Sequence, residues 1–181
     1  MTIYLIRHAQ SEFNALFQHS RIDPMLFDSK LSELGEQQAR NARKQAEDLD
    51  ITNIIVSPFT RTLQTASLMF GANRKFVINA DVREQLSNSC DVGSPPHELA
   101  SAYPSLDFSH LAERWWHEGE KDHRGISVEP HEVLQKRVDE YAESLKRDGI
   151  HSTAIVTHGN YIHAMTGVRA DNCQIVEFKP L

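Results

Sequence analysis

The chain has 181 residues, with 19 Lys or Arg, 25 Asp or Glu and 10 His, so its formal net charge at pH 7 is −6. This length predicts a single domain over residues 1–181. The acidic balance argues against a nucleic-acid-binding protein, and no apolar run approaches the roughly 20 residues that a membrane-spanning helix needs.

The beginning of the chain and its cysteine content indicate a location. The apolar stretch that begins at Met1 has no basic region ahead of it and is ended by Arg7 and His8, which is unlike a signal peptide. Cys90 and Cys173 are too few for a disulfide framework and are typical of a reducing compartment. We therefore predict a cytoplasmic protein.

Five segments have the composition of β-strands. Three are short apolar runs rich in β-branched residues, which is typical of strands buried on both faces of a parallel sheet. The other two are weaker candidates. In chain order, the five predicted strands are residues 3–6, 53–57, 76–79, 152–157 and 174–178.

Helical patterns lie between these strands. Ser32 is suited to cap a helix that runs to about residue 49. Ser57-Pro58 predicts a helix with proline at its first position, and Pro130 predicts another that ends at Gly149.

The alternation of strands and helices predicts an α/β fold, a three-layer α/β/α sandwich with a mostly parallel central sheet. Residues 13–27 are predicted to form a long loop, and residues 87–96 an excursion within the domain. Residues 104–125 receive no assignment. In open sheets of this kind, ligands bind beyond the carboxyl ends of the strands.

Chemically active side chains follow four of the predicted strands. Because the carboxyl ends of parallel strands meet at one edge of a sheet, we expect these side chains to lie close together. They are Arg7 and His8 after the first strand, Arg61 one turn into the helix after the second, Glu84 after the third and His158 after the fourth.

These residue types favour phosphoryl transfer without a metal ion. Guanidinium groups match phosphate oxygens bidentately, and helix N-termini add backbone N–H donors. A histidine can attack phosphorus and carry it as phosphohistidine, while a carboxyl group can protonate the leaving oxygen. The chain contains neither the glycine-rich motifs of nucleotide-binding folds nor the His-Glu-x-x-His pattern of zinc enzymes.

Five segments, in order, resemble the motifs of the histidine phosphatase superfamily, also called the phosphoglycerate-mutase-like family. The segment from Arg7 to Asn14 reads RHAQSEFN and is similar to the family signature after the first strand. The other four are residues 31–39 (LSELGEQQA), 57–66 (SPFTRTLQTA), 82–84 (VRE) and 156–159 (VTHG).

The resemblance implies a role for each of the converging side chains. His8 would be the nucleophile, and Glu84 would protonate the leaving oxygen and then activate water. Arg7, Arg61 and His158, the last as a cation, would bind the phosphoryl oxygens. The resemblance implies neither a metal nor an organic cofactor.

Further positions follow from the same resemblance. Asn14 and the backbone N–H of Gly159 would be secondary phosphate contacts. Asp81 and Asp91 lie close in sequence to Glu84 and compete with it for the acid role. Ala9 departs from the family, which usually has glycine there, so a methyl group is expected beside the phosphate loop.

The interval of 74 residues between Glu84 and His158 (158 − 84) is short for a phosphoglycerate mutase and favours a phosphatase. We expect residues 89–93 and 115–117 to line the mouth of the pocket. The expected substrate is a small phosphorylated metabolite. A mutase or phosphotransferase, and a non-catalytic sensor of phosphorylated ligands, remain alternatives, and the oligomeric state is open.

Overall fold

The structure is a computed structural model and describes residues 2–179. Its regular elements are β1 (Ile3–Arg7), α1 (Glu12–Ser20), α2 (Glu33–Glu47), β2 (Asn53–Val56), α3 (Thr60–Phe70), β3 (Val77–Ile78), α4 (Pro96–Ala102), α5 (His131–Arg147), β4 (Thr153–Thr157), α6 (Gly159–Thr166) and β5 (Ile175–Phe178). Two short 3₁₀ turns, Ala80–Val82 and Ser89–Asp91, follow β3.

The strands form one sheet in the order β3-β2-β4-β1-β5. The first four positions are parallel, and only β5 runs antiparallel, beside β1. In this register Arg7 lies opposite Thr157, and Val56 lies opposite Val156. The residues that follow β1, β2 and β4 therefore emerge at the same edge of the sheet, as the sequence predicts.

Both faces of the sheet are covered, which explains why the central strands are mostly apolar. Ala154 and Val156 of β4 pack into a core that includes residues of α2 and α3. Ile155, between them, points to the opposite face and packs with residues of α5 and α6. The three-layer α/β/α sandwich with a mostly parallel sheet is therefore confirmed.

The prediction of a loop over residues 13–27 is wrong for its first half, because α1 runs through Ser20. Ser11 caps this helix, and its hydroxyl accepts a hydrogen bond from the Asn14 backbone N–H at 3.2 Å. The Asn14 side-chain oxygen in turn accepts from the Ser11 N–H. This reciprocal pair is a capping box in which asparagine takes the place of the usual glutamate or glutamine.

The prediction that α3 begins at Pro58 is also wrong, because the helix begins at Thr60. Its first turn is satisfied from a distant part of the chain. The buried Asp28 carboxylate accepts hydrogen bonds from the Thr60 backbone N–H and from its hydroxyl, both at 2.8 Å. A cap of this kind, supplied by a distant residue, determines where the helix begins, and the sequence near the helix does not indicate it.

The other helix limits follow their local signals. Ser32 caps α2 through a 3.0 Å hydrogen bond from the Gly35 N–H, and Pro130 precedes α5. After α5, Gly149 adopts a φ of 63°, which favours glycine. α4 lies at the end of the predicted excursion and has no counterpart among the predicted elements.

Two sequence-based expectations concern the chain as a whole. No helix within residues 2–179 has the length and apolar character needed to span a bilayer. The single domain over residues 1–181 stays a prediction.

Gly35 provides a test of how the first loop packs against α2. A Cβ at this position would overlap the carbonyl oxygen of Gln10, which also accepts a 3.0 Å hydrogen bond from the Ser32 N–H. We expect Gly35→Ala to lower the free energy of unfolding by roughly 1–3 kcal/mol, as overpacking does. Chemical denaturation measures this, with exposed Gln37→Ala as the control. Equal stabilities of the two variants would contradict the close approach.

Candidate active site

His8 follows β1 and is almost fully buried. Its ring Nδ1 lies 2.7 Å from the carbonyl oxygen of Ala9. Because a carbonyl can only accept, Nδ1 carries the proton, and Nε2 keeps its lone pair. Burial, followed by the positive charges of Arg61 and Arg7, lowers the pKa of His8 well below its usual value. The ring is therefore neutral and has a nucleophilic nitrogen over a wide pH range.

His158 lies opposite His8, with 5.2 Å between the ring centroids and 63° between the ring planes. Its Nε2 is 2.8 Å from the Ser57 hydroxyl oxygen, while its Nδ1 is buried and has no hydrogen-bond partner among the described residues. Burial and then the charge of Arg61 lower the pKa of His158 well below its usual value. This shift favours the neutral ring in the protein alone, and the cationic form of His158 beside a phosphoryl group stays a prediction.

Arg61 is buried in the first turn of α3, and its positive charge lowers the pKa of both histidines. Its two terminal nitrogens donate to the Cys90 carbonyl at 2.6 Å and to the Asp91 carboxylate at 2.9 Å. The guanidinium carbon lies 4.3 Å from the centroid of the Phe59 ring. These contacts fix the position of a positive charge at the edge of the sheet.

Arg7 supplies the second guanidinium group. Its Nη1 donates to the Ala170 carbonyl at 2.7 Å, but its Nε is buried and has no partner within the part of the chain that the structure describes. Gly159 lies against it, and a Cβ on Gly159 would be 3.3 Å from this Nε. A buried N–H donor without a partner is costly, and an anion at this place would satisfy it.

Glu84 lies at the N-terminus of α6. Its carboxylate accepts backbone hydrogen bonds from Gln85 at 2.9 Å and from Asn160 and Tyr161 at 3.2 Å each. Burial, followed by the negative charge of Asp91, nevertheless raises the pKa of Glu84 to about 7. A carboxyl group with such a pKa holds a proton near neutral pH and can donate it.

The competing carboxylates have other environments. Asp81 is exposed, and Asp91 is committed to Arg61. Of the two predicted secondary contacts, Gly159 is adjacent to the site, whereas the Asn14 side-chain oxygen is engaged in the cap of α1. The methyl group of Ala9 is buried in the core on the α2 and α3 face of the sheet. It therefore packs with the core and takes no space from a phosphoryl group bound at His8.

Sequence reasoning missed two residues that hold the first loop, residues 8–11 between β1 and α1, in place. The Thr65 hydroxyl accepts from the Ala9 N–H at 3.1 Å and donates to the Arg61 carbonyl at 2.7 Å. The Asn172 amide donates to the His8 carbonyl at 2.8 Å. Thr65 lies one helical turn after Arg61, which is the signal that could have identified it. Asn172 has no comparable signal.

The segment before β5 closes against β1. The Cys173 N–H donates to the Arg7 carbonyl at 3.0 Å, and the Arg7 N–H donates to the Gln174 carbonyl at 3.2 Å. Together with the contacts made by Ala170 and Asn172, these bonds brace both residues of the Arg7-His8 pair from the segment before β5.

Of the two tryptophans predicted at the mouth of the pocket, one lies in the core and the other at the surface. Trp115 is buried, and its ring centroid lies 4.6 Å from that of Phe59, so it supports the site from behind and does not line the mouth. Trp116 lines a surface cleft of about 240 Å³ with Phe27 and Leu86. No group of three or more His, Cys, Asp or Glu side chains within residues 2–179 could hold a metal ion.

Solved structures share this fold. A mutant phosphoserine phosphatase of Entamoeba histolytica in complex with phosphoserine superposes with a TM-score of 0.62 over 98% of this chain and 90% of that one, at 18% identity. A mycobacterial glucosyl-3-phosphoglycerate phosphatase in complex with VO₃ gives a TM-score of 0.62 over 97% and 91%, at 18% identity.

Sequence relatives point to the same family. A protein of Hydrogenobacter thermophilus, named provisionally as a phosphoserine phosphatase, is 29% identical over 94% of this chain and 81% of its own length. A probable phosphoglycerate mutase of Enterobacter is 42% identical, but the match spans only 40% of this chain and 32% of that protein. The model of the histidine phosphatase superfamily (branch 1) matches residues 3–175, and the chain belongs to this superfamily.

Proposed function

We propose that this protein is a phosphomonoester hydrolase that works through a phosphohistidine intermediate on a small phosphorylated metabolite. One observation carries the proposal: two buried imidazoles face each other at 5.2 Å, with the Arg61 guanidinium charge acting on both. The buried Arg7 Nε and His158 Nδ1, which lack partners among the described residues, fit the oxygens of a phosphoryl group.

The proposed reaction has two steps. His8 Nε2 attacks phosphorus, the bond from phosphorus to the leaving oxygen breaks, and Glu84 donates its proton to that oxygen. Glu84, now a carboxylate, takes a proton from water as the water oxygen attacks phosphorus. The phosphorus–nitrogen bond then breaks, its electron pair returns to His8, and inorganic phosphate leaves. The two arginines stabilise the charge on the transferring group in both steps.

A screen of phosphomonoesters, with a chelator present in a parallel series, tests the activity. We expect release of inorganic phosphate that the chelator does not change. Addition of an acceptor alcohol separates hydrolysis from phosphotransfer, because a mutase or phosphotransferase would move the phosphoryl group to the alcohol. A protein that binds phosphorylated ligands and turns over none of them would be the sensor, and the proposal would fail.

The relatives named as phosphoserine phosphatases support a small substrate with a phosphorylated hydroxyl group. The net charge of −6 supports the proposal that nucleic acid is not a partner. The two buried free cysteines are in keeping with a cytoplasmic location, which we also propose.

Replacement of the proposed acid has an effect that depends on the leaving group. We expect Glu84→Gln to lower kcat/KM for an alkyl phosphate by roughly 10²–10⁴-fold, the usual contribution of a general acid. The loss should be much smaller for p-nitrophenyl phosphate, since nitrophenolate leaves without a proton. In the unmodified protein, kcat/KM for the alkyl ester should fall as the pH rises above about 7, where Glu84 loses its proton.

Asp81→Asn is the matched control, because Asp81 is an exposed carboxylate three residues away. It should leave kcat/KM for both substrates, and its dependence on pH, unchanged. Equal losses for the two substrates in Glu84→Gln would assign the acid role elsewhere.

A further inference from the structure

Asp91 is a buried carboxylate beside the site, and its contacts show that it is held in place. It closes the 3₁₀ turn Ser89–Asp91, and its Oδ2 accepts from the backbone N–H groups of Ser87 and Asn88 at 3.2 and 3.1 Å. Its Oδ1 accepts from Arg61 at 2.9 Å, and the Cys90 thiol is 3.5 Å from the same oxygen. Both oxygens of this carboxylate therefore accept hydrogen bonds from the surrounding chain.

The same turn provides a second contact to Arg61. The Cys90 carbonyl accepts from one terminal nitrogen while Asp91 accepts from the other, and Phe59 covers the flat face. A free arginine side chain has many rotamers, and binding it at two nitrogens and one face leaves a single orientation. The turn therefore decides where the guanidinium group points.

Asp91 also acts on Glu84, which lies seven residues earlier in the same segment. Asp91 from the turn raises the pKa of Glu84 and Arg61 from α3 lowers it, while α6 contributes two backbone N–H donors to the Glu84 carboxylate. Asp91 is buried and Glu84 is half-buried. Two such carboxylates disfavour double ionisation, because like charges repel more strongly where contact with water is limited.

We propose that Asp91 is a positioning residue with two effects: it orients Arg61 toward the phosphoryl oxygens, and it places a second carboxylate in the segment that carries Glu84. The inference rests on the proposed function, because Glu84 needs its proton only if it acts as an acid. One carboxylate thus couples the phosphate-binding arginine to the proton donor.

Asp91→Asn tests the second effect, because it keeps the shape and removes the charge. In this variant the alkaline limb of kcat/KM for an alkyl phosphate should move to lower pH by about one unit, the scale of a close like-charge effect. Loss of orientation at Arg61 should lower the maximal kcat/KM by about tenfold or more. Asp91→Glu restores the charge with a misplaced carboxylate, so its limb should stay near that of the unmodified protein while KM rises.

Asp28→Asn is the matched control. Asp28 is also a buried aspartate beside α3, but its carboxylate accepts hydrogen bonds from Thr60, whereas that of Asp91 accepts from Arg61. The alkaline limb of kcat/KM should stay at the same pH in this variant, even if the variant is less stable. If Asp91→Asn does not fold, Asp91→Ser, whose hydroxyl can still accept a backbone N–H, replaces it with the same expected shift.

The outcomes separate the two proposals. An alkaline limb that does not move on removal of the Asp91 charge overturns the inference, even if the enzyme is a phosphatase. A limb that moves equally in Asp28→Asn also overturns it, because the effect would then belong to any buried charge near α3. Absence of hydrolysis in the unmodified protein overturns the proposed function itself.

Discussion

His8→Ala is expected to lower phosphate release by at least about 10³-fold, since removal of a nucleophile leaves only binding and charge stabilisation. The expectation follows from the environment of the ring. Its Nδ1 is engaged by the Ala9 carbonyl, so only Nε2 is available for attack. The lowered pKa keeps the ring neutral even in mildly acidic solution, where Glu84 is also protonated.

Rapid quenching during turnover provides the direct measurement. The unmodified protein should carry a phosphoryl label that is stable in alkali and lost in acid, as expected for phosphohistidine, and His8→Ala should carry none. His97→Ala, at an exposed histidine, should label normally. Thermal unfolding shows whether the His8 variant is folded. A folded His8→Ala protein that retains full activity would refute the mechanism.

Arg61→Ala is expected to damage both activity and stability. Loss of one oriented charge from the site should lower kcat/KM by roughly 10²–10³-fold. The same change leaves the buried Asp91 carboxylate without its partner, which should cost about 3–5 kcal/mol of folding free energy. Arg61→Lys should recover little of either, because an ammonium group cannot contact Cys90 and Asp91 in the same two-nitrogen arrangement.

A double variant separates the two losses. If the stability cost comes from the unpaired carboxylate, then Arg61→Ala combined with Asp91→Ala should be more stable than Arg61→Ala alone, with activity still low. Chemical denaturation and steady-state kinetics measure the two properties independently. Additive losses of stability would mean that the pair makes no specific contribution.

The fold was predictable where short-range patterns decide it. The buried runs that became β1, β2 and β4 were assigned within one or two residues, because strands covered on both faces are apolar along their whole length. α1 was missed although Ser11 and Asn14 form a capping box, since asparagine at the third position is a weaker signal than glutamate. The start of α3 depends on Asp28, 32 residues earlier, and no local pattern contains that contact.

The candidate site divides in the same way. Arg7, His8 and His158 directly follow strands, so the sheet register alone brings them together. The charge states of these side chains could not be predicted in this way, because burial and neighbouring groups determine them. His158 was expected to be a cation, yet its lack of solvent and the charge of Arg61 favour the neutral ring. The sequence offers Asp91 as a rival to Glu84 and as part of the mouth segment 89–93, but its pairing with Arg61 requires a contact across 30 residues.

The brace between the segment before β5 and the Arg7-His8 pair has a consequence for biosynthesis. The residues that hold this pair follow it at a long distance, because Ala170 lies 163 residues after Arg7 and Asn172 lies 164 residues after His8. A nascent chain therefore contains the reactive imidazole long before the residues that immobilise it. Catalytic competence should appear only after the segment through Gln174 has been translated, so that chains truncated before Ala170 remain inert.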